Sequence, residues 1–96
     1  MDYARPRGTR DFSVNEARKR RQVFNGLAGT FEQAGYGEIH TPLFEHTSLF
    51  TTKSGAEITG SLYSFKDKGG REICLRPEAT ASVARYYCQE LRSKPK

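Results

Sequence analysis

The clearest candidate for chemistry is a polar stretch that follows a predicted strand. Leu75-Arg76-Pro77-Glu78-Ala79-Thr80 carries a carboxylate and a hydroxyl two residues apart, at the start of a predicted helix. Both groups accept hydrogen bonds and the carboxylate adds negative charge, so together they suit a ligand ammonium. The competing interpretation is that Glu78 only favours the positive N-terminus of the helix while Thr80 faces water. The residue types alone favour this second interpretation and leave both open.

Other residue types that are associated with catalysis give weak signals. Gly69-Gly70 matches neither glycine-rich phosphate-binding motif, and we assign it to a hairpin turn. His40 and His46 are too isolated to predict a metal site or a catalytic triad. Cys74 and Cys88 lie fourteen residues apart without a partner motif, which indicates free thiols in a reducing compartment. We therefore assign no catalytic residue and no metal ligand.

The composition limits the chain to one small domain or part of a larger one. It has 96 residues, with neither an apolar window long enough to span a membrane nor the apolar stretch of a secretory signal. We therefore expect a cytoplasmic protein with no membrane partner. The net charge of +5 equals the excess in residues 5–21, which hold seven basic and two acidic side chains. A basic segment is the minimum that an RNA-facing protein needs, but a solvated helix face explains it equally well.

A long N-terminal helix is the most secure predicted element. Ser13-Val14-Asn15-Glu16 matches a capping box, apolar residues then recur at helical spacing, and Gly35 supplies an end. Gly26 and Gly29 lie inside this helix, where each costs about 1 kcal/mol relative to alanine. Such a cost is tolerated where another backbone comes close, so we predict a packed or interfacial face at these glycines.

The middle of the chain is predicted to be irregular after one strand. Residues 36–41 alternate enough for a strand, which Pro42 ends or confines to a sheet edge. Residues 43–50 are expected to form a turn and a short helix. Residues 51–61 are polar and contain glycine, which predicts a loop.

A hairpin and a second helix complete the prediction. Residues 62–66 and 71–76 read as two short strands around a glycine-containing turn. Alternation along the second strand puts Ile73 on one face and Cys74 on the other, and we predict that the Cys74 face meets a ligand. Pro77 is expected to begin the last helix, at the position that proline prefers.

Four segments, taken in order, resemble the histidyl-tRNA synthetases. Residues 5–12 look like the N-terminal signature of that family. The helix with residues 36–42 looks like motif 1 of the class II aminoacyl-tRNA synthetases, about residues 23–45 here. Residues 63–67 and then 75–80 follow in the family's order and at about its spacing. The resemblance covers essentially the whole chain, and four segments in register are more specific than motif 1 alone.

The resemblance implies a fold and an assembly. The fold would be α+β, an antiparallel sheet with flanking helices, with residues 1–96 forming the N-terminal part of a class II catalytic domain. The full protein would be a homodimer, with Gly26, Gly29 and Pro42 at the dimer interface. Because part of a sheet exposes an edge and an apolar face, the isolated chain is expected to dimerise, aggregate or stay partly disordered.

The resemblance also implies a substrate site. Within a substrate-binding stretch of about residues 74–82, Glu78 and Thr80 match the family positions that hold the α-ammonium of histidine. Ala79 lies between them, where the family often has glycine, and it is expected to leave the backbone path intact.

The implied enzyme is a histidine–tRNA ligase, an aminoacyl-tRNA ligase that activates histidine with ATP and Mg2+ and transfers it to tRNA(His). Motif 2, motif 3, the histidine-specific motif and the anticodon-binding domain would lie beyond Lys96, so we expect the 96 residues alone to be inactive. The alternative is a non-catalytic, synthetase-like regulatory subunit of ATP phosphoribosyltransferase, which shares the fold but binds a partner enzyme. The basic segment leans toward the tRNA enzyme, and the start at residues 7–12 argues against a synthetase of neighbouring specificity.

Overall fold

A computed structural model of the chain describes residues 2–54 and 60–95. The chain divides into two compact units, residues 1–39 and residues 40–96. The elements, in chain order, are α1 (Val14–Gln33), β1 (Phe44–His46), α2 (Ser48–Ser54), β2 (Ser64–Lys66), β3 (Glu72–Leu75), α3 (Thr80–Tyr86) and a π-helical turn (Tyr87–Leu91). A three-stranded antiparallel sheet in the order β1-β3-β2, with helices beside it, confirms the predicted α+β class.

Helix α1 begins and ends where its local signals predict. The Ser13 hydroxyl accepts the amide of Glu16 at 3.2 Å, and the amide of Ser13 donates to the Glu16 carboxylate at 3.2 Å. The helix ends at Gln33, and Gly35 follows with φ +92°, a backbone region that favours glycine. The capping box and the glycine stop are therefore both confirmed.

The turn between β2 and β3 is organised by one carboxylate. Asp67 accepts the backbone amides of Arg71 and Gly69, each at 2.9 Å, and the Arg71 Nε at 2.7 Å. These bonds favour the ionised form, so the pKa of Asp67 lies below its usual 3.8, mainly because of the Arg71 amide. Gly70 closes the turn with φ +82°. The predicted hairpin is confirmed.

The small core of the second unit lies on the face of β3 that was predicted to meet a ligand. Cys74 is fully buried and forms a cluster with Phe50 of α2 and Leu62. Leu49 and Ala81 pack against that cluster, so helices α2 and α3 cover this face. The prediction of a ligand-binding face at Cys74 is wrong, because a free thiol packs as a small apolar side chain.

The strand predicted at residues 36–41 is not formed. Pairing starts only after Pro42, where the amide of Arg76 donates to the Leu43 carbonyl at 3.0 Å and β1 then pairs with β3. A strand forms only where a neighbouring strand supplies partners for its backbone hydrogen bonds. Strand β3 ends at Leu75, which pairs with Phe44, so β3 does not extend beside residues 36–41. The first strand therefore occupies positions 44–46, part of the segment that was predicted to be a turn.

Helix α2 extends into the segment that was predicted to be a loop. The Thr47 carbonyl accepts the amides of Phe50 and Thr51 at the start of this helix. The helix continues to Ser54, and residues 55–59 of the predicted loop lie outside the described residues. Over residues 2–54 and 60–95, none of the helices combines the length and apolarity that crossing a bilayer requires.

Candidate functional site

The junction between β3 and α3 leaves the central strand of the sheet. The amide of Leu75 donates to the Tyr63 carbonyl at 2.9 Å, and the next amide donates to the Leu43 carbonyl at 3.0 Å. Strand β3 is thus bonded to both neighbours up to its end. Residues 76–79, which follow it, start from a fixed point in the sheet.

The carboxylate of Glu78 caps helix α3. Its Oε2 accepts the amide of Thr80 at 2.5 Å, and its Oε1 accepts the amide of Ala81 at 3.2 Å. The helix begins at Thr80, after an N-cap at Ala79. The prediction that Pro77 begins the helix is wrong. The first helical amides that need an acceptor are those of Thr80 and Ala81, and the Glu78 side chain supplies it.

Capping leaves the carboxylate with acceptor capacity for a ligand. Each oxygen of an ionised carboxylate has two acceptor positions, and one on each oxygen of Glu78 is taken by an amide. Ala79 has φ −102°, which any residue adopts, so the backbone path at this position does not need glycine. The structure therefore shows the capping interpretation in place, and the binding of an ammonium by Glu78 and Thr80 stays a prediction.

Arg76 ties this junction to the segment that carries the predicted motif proline. Its Nη1 lies 3.1 Å from the Thr41 hydroxyl, 3.3 Å from the Thr41 carbonyl and 3.5 Å from the Pro42 carbonyl. The guanidinium therefore holds residues 41–42 beside the end of β3. Sequence reasoning missed this contact, which joins residues 34 and 35 positions apart.

An ion pair joins α3, the helix that follows the junction, to β1. The Nε and Nη2 of Arg85 donate to Glu45 Oε2 at 3.1 and 2.9 Å, and Arg85 Nη1 donates to Gln89 at 2.7 Å. The Glu45 side chain is only 8% exposed. Since 40 residues separate the partners, no local pattern in the sequence indicates the pair.

The opposite face of the sheet is open. The rings of Phe44 and Phe65 lie there with centroids 6.5 Å apart, at the edge of a depression of about 810 Å³. Lys66 and Arg71 also line this depression, whereas none of the residues 78–80 does. The face offers an apolar surface with charged residues of both signs at its margin. Among the described residues, no group of three or more His, Cys, Asp or Glu side chains could hold a metal ion.

The residues predicted at a dimer interface lie in both units. Gly26 and Gly29 are on α1, where an added Cβ would meet no atom of the described residues within 4 Å apart from the helix's own backbone. No residue of α1 is buried, and Phe24 and Phe31 are 51% and 55% exposed. Pro42 belongs to the second unit and is also exposed. The apolar surface of α1 is thus available to another chain or segment, and the interface itself stays a prediction.

Comparisons with known proteins agree on one family. The family model described as histidyl-tRNA synthetase matches residues 8–96. A histidine–tRNA ligase of Methanosarcina acetivorans is 52% identical over 96 residues, which are all of this chain and 23% of that protein. The crystal structure of apo S. aureus histidyl-tRNA synthetase is 38% identical with a TM-score of 0.84, and the match covers 99% of this chain and 23% of that chain.

The structural relative that bears on the alternative is more distant. A Bacillus halodurans C protein titled as an ATP phosphoribosyltransferase regulatory subunit/histidyl-tRNA synthetase is 22% identical, with a TM-score of 0.76 over 100% of this chain and 25% of that one. At that identity the likeness shows the fold alone. The present chain spans about a quarter of the length of the proteins it matches. With the family model matched over residues 8–96, the chain belongs to the histidyl-tRNA synthetase family.

Proposed function

We propose that these 96 residues are the N-terminal part of the catalytic domain of a histidine–tRNA ligase. The full protein would activate histidine with ATP and Mg2+ and transfer it to tRNA(His). The observation that carries this proposal is the match to the histidyl-tRNA synthetase family over residues 8–96, together with 52% identity to an archaeal histidine–tRNA ligase. The regulatory-subunit alternative is supported only by a shared fold at 22% identity.

Within this enzyme, Glu78 binds the α-ammonium of histidine by charge and Thr80 binds it by a hydrogen bond. Three features support the assignment. The carboxylate lies just beyond the central strand, it is oriented by two helix amides, and each of its oxygens keeps one acceptor position. Thr80 is exposed at the first residue of α3, two positions along the chain. Ala79 leaves this geometry intact.

The assignment is tested by Glu78→Gln in the full-length protein. Glutamine keeps one side-chain oxygen for the helix amides and loses the negative charge. Because hydrogen bonds to charged groups contribute about 1.5–3 kcal/mol, the KM for histidine should rise by roughly ten- to a hundredfold. Histidine-dependent pyrophosphate exchange measures this constant, and the KM for ATP serves as an internal reference.

The matched control is Glu90→Gln, since Glu90 is an exposed carboxylate in the π-helical turn after α3. This variant should keep the wild-type KM for histidine. Equal constants for wild type, Glu78→Gln and Glu90→Gln would refute the ammonium assignment. Absence of histidine-dependent exchange in the wild-type, full-length protein would refute the proposed function itself.

The ATP and Mg2+ chemistry is assigned to parts of the full protein outside these residues. Among the described residues, no cluster of three or more His, Cys, Asp or Glu side chains could hold a metal ion. The expected consequence is that the purified 96-residue chain catalyses no pyrophosphate exchange above background, and activity of the isolated chain would contradict it.

We further propose a homodimer with Gly26, Gly29 and Pro42 at its interface. At 100° per residue, the two glycines lie on the side of α1 opposite Phe24 and Phe31, so the helix presents a glycine surface and an apolar surface. One surface permits close approach of a backbone, and the other offers exposed apolar area to bury.

Alanine at the two glycines separates a role in the helix from a role at an interface. Because a Cβ at Gly26 or Gly29 meets nothing within 4 Å outside its own helix in the part of the chain that the structure describes, each substitution should stabilise the free helix by about 1 kcal/mol. If a partner backbone lies against them, the same Cβ atoms should weaken dimerisation, as measured by sedimentation equilibrium of the full-length protein. Asn25→Ala raises helix propensity without adding bulk and is the control. A dimer that is unaffected by both glycine substitutions would contradict their place at the interface.

A further inference from the structure

Arg76 is bonded twice to one short segment, once through its main chain and once through its side chain. Its amide donates to the Leu43 carbonyl at 3.0 Å. Its Nη1 lies within 3.1–3.5 Å of the Thr41 hydroxyl and the carbonyls of Thr41 and Pro42. The family resemblance assigns no role to this side chain, and the proposed function has not used it.

The position of Arg76 bears directly on the position of Glu78. Only Pro77 separates them, and its ring fixes φ and removes an amide, which leaves few free backbone angles between the two residues. On its other side, the Glu78 carboxylate is held by the amides of Thr80 and Ala81. The carboxylate is therefore fixed from the sheet by Arg76 and from the helix by its own cap.

We propose that Arg76 is a positioning residue for the amino-acid site, holding the strand-to-helix junction so that the Glu78 carboxylate meets the ligand ammonium. The inference rests on the proposed function and deepens it. Without the guanidinium, Arg76 itself keeps only its main-chain bond to Leu43, and the Glu78 carboxylate loses one of the constraints that hold it relative to the sheet. Misplacement of a binding group by about 1 Å is enough to change kinetic constants a hundredfold.

Arg76 offers one other interpretation, which the test must separate. The side chain is exposed, and its Nε and Nη2 donate to no acceptor in the described part of the chain. It therefore has donors to spare for a direct contact with an anionic ligand. A positioning residue acts through Glu78, whereas a residue that touches a ligand itself acts independently of Glu78.

The experiment is a double-mutant cycle in the full-length protein. Arg76→Gln should raise the KM for histidine about tenfold while changing the KM for ATP less than about twofold. Arg76→Lys, which keeps the charge and can restore one hydrogen bond, should recover part of the loss. Arg92→Gln removes an exposed arginine beyond the π-helical turn and should leave both constants unchanged.

The decisive arm is Arg76→Gln combined with Glu78→Gln. If Arg76 acts through Glu78, its substitution has no further effect on the KM for histidine once Glu78 has lost its charge. The same fold-change in both backgrounds overturns the inference, and so does an Arg76→Gln enzyme with a wild-type KM for histidine. Thr41→Val removes only the hydroxyl acceptor and should give a smaller shift of the same kind, so the proposal stays refutable if Arg76→Gln fails to fold.

These outcomes separate the inference from the proposed function. A wild-type protein that shows histidine-dependent exchange, with additive effects of Arg76 and Glu78, refutes the positioning role and leaves the function standing. A wild-type protein without that activity refutes the proposed function, and the positioning role falls with it.

Discussion

Arg85→Met should destabilise the second unit strongly, because it leaves a buried carboxylate unpaired. Glu45 is 8% exposed and receives two N–H groups from Arg85, whose side chain is 26% exposed. Removing one partner of a buried pair costs about 3–5 kcal/mol, and partial exposure of the arginine favours the lower end, about 3 kcal/mol. Methionine keeps the apolar stem of the side chain, so the loss reports the ion pair rather than packing.

The assay is urea unfolding of the chain followed by circular dichroism, repeated at several concentrations to separate folding from association. The double variant Glu45→Leu/Arg85→Met should regain most of the lost stability, because apolar replacement of a buried pair is often neutral or stabilising. Arg71→Met is the control. It breaks the exposed pair with Asp67 and should move the urea midpoint little, since ion pairs at the surface are screened.

Two results would refute this reasoning. The first is an Arg85→Met midpoint that shifts no more than that of Arg71→Met. The second is a double variant that loses the sum of the two single losses, since additivity means that the side chains do not interact. Either result would mean that α3 is held on β1 without help from this pair.

Three further predictions concern single side chains. Ser82→Ala should stabilise the chain by about 1 kcal/mol in urea, because the Ser82 hydroxyl is fully buried without a hydrogen-bond partner in the described residues. Gly70→Ala should lower the free energy of unfolding in urea by about 1 kcal/mol, more than Gly69→Ala does, because Gly70 has φ +82° whereas the atoms nearest to a Cβ at Gly69 belong to the movable Arg71 side chain, the closest at 3.0 Å. Because the pKa of Asp67 is lowered in the folded chain, its ionised carboxylate stabilises the hairpin at pH values above 3.8, the usual pKa. This stabilisation is lost as the pH falls through the lower folded pKa, so acid should erase the stability difference between wild type and Asp67→Asn. A difference that persists in acid would contradict the prediction.

The parts of the fold that were predicted correctly depend on neighbours in the sequence. The capping box at residues 13–16 and the end of α1 at Gly35 are formed by groups within a few residues of one another. The hairpin turn at residues 67–71 is likewise built by one carboxylate and nearby amides. Residue type and spacing are sufficient information for such elements.

The parts that were predicted wrongly depend on distant partners. Residues 36–41 alternate like a strand, but a strand needs a ladder, and β3 pairs only with the residues after Pro42. Alternation separated Cys74 from Ile73 and the Cys74 face was predicted to meet a ligand, whereas the packing of α2 and α3 makes it the core. The alternation of side chains along a strand indicates that its two faces differ, but it does not indicate which face a helix covers.

The candidate site shows the same division. Glu78 and Thr80 are predicted from the sequence because they stand together at a strand-to-helix junction. The two arginines that hold the junction, Arg76 and Arg85, act on acceptors 34 to 40 residues away. Which arginine meets which acceptor follows only from the register of β1 on β3.

The two interpretations of Glu78 that the sequence left open are compatible, and a pair of variants can measure them separately. A carboxylate already oriented by two amides loses less side-chain entropy when it binds a ligand, and a free glutamate loses up to about 2 kcal/mol on immobilisation. Capping therefore prepares the group for binding rather than competing with it. Glu78→Gln should raise the KM for histidine and lower the melting temperature by less than the loss of the whole cap, because its one oxygen still accepts one of the two amides.

Glu78→Asp is the complementary change, since it keeps the charge and shortens the reach to the amides of Thr80 and Ala81. It should lower the free energy of unfolding by the loss of a cap, about 1 kcal/mol, and with it the melting temperature. It should also raise the KM for histidine, because the charge no longer lies where the junction holds it. If the aspartate variant melts earlier and both Glu78→Asp and Glu78→Gln keep the wild-type KM, the carboxylate serves the helix alone. The ammonium site would then have to be sought elsewhere along the chain.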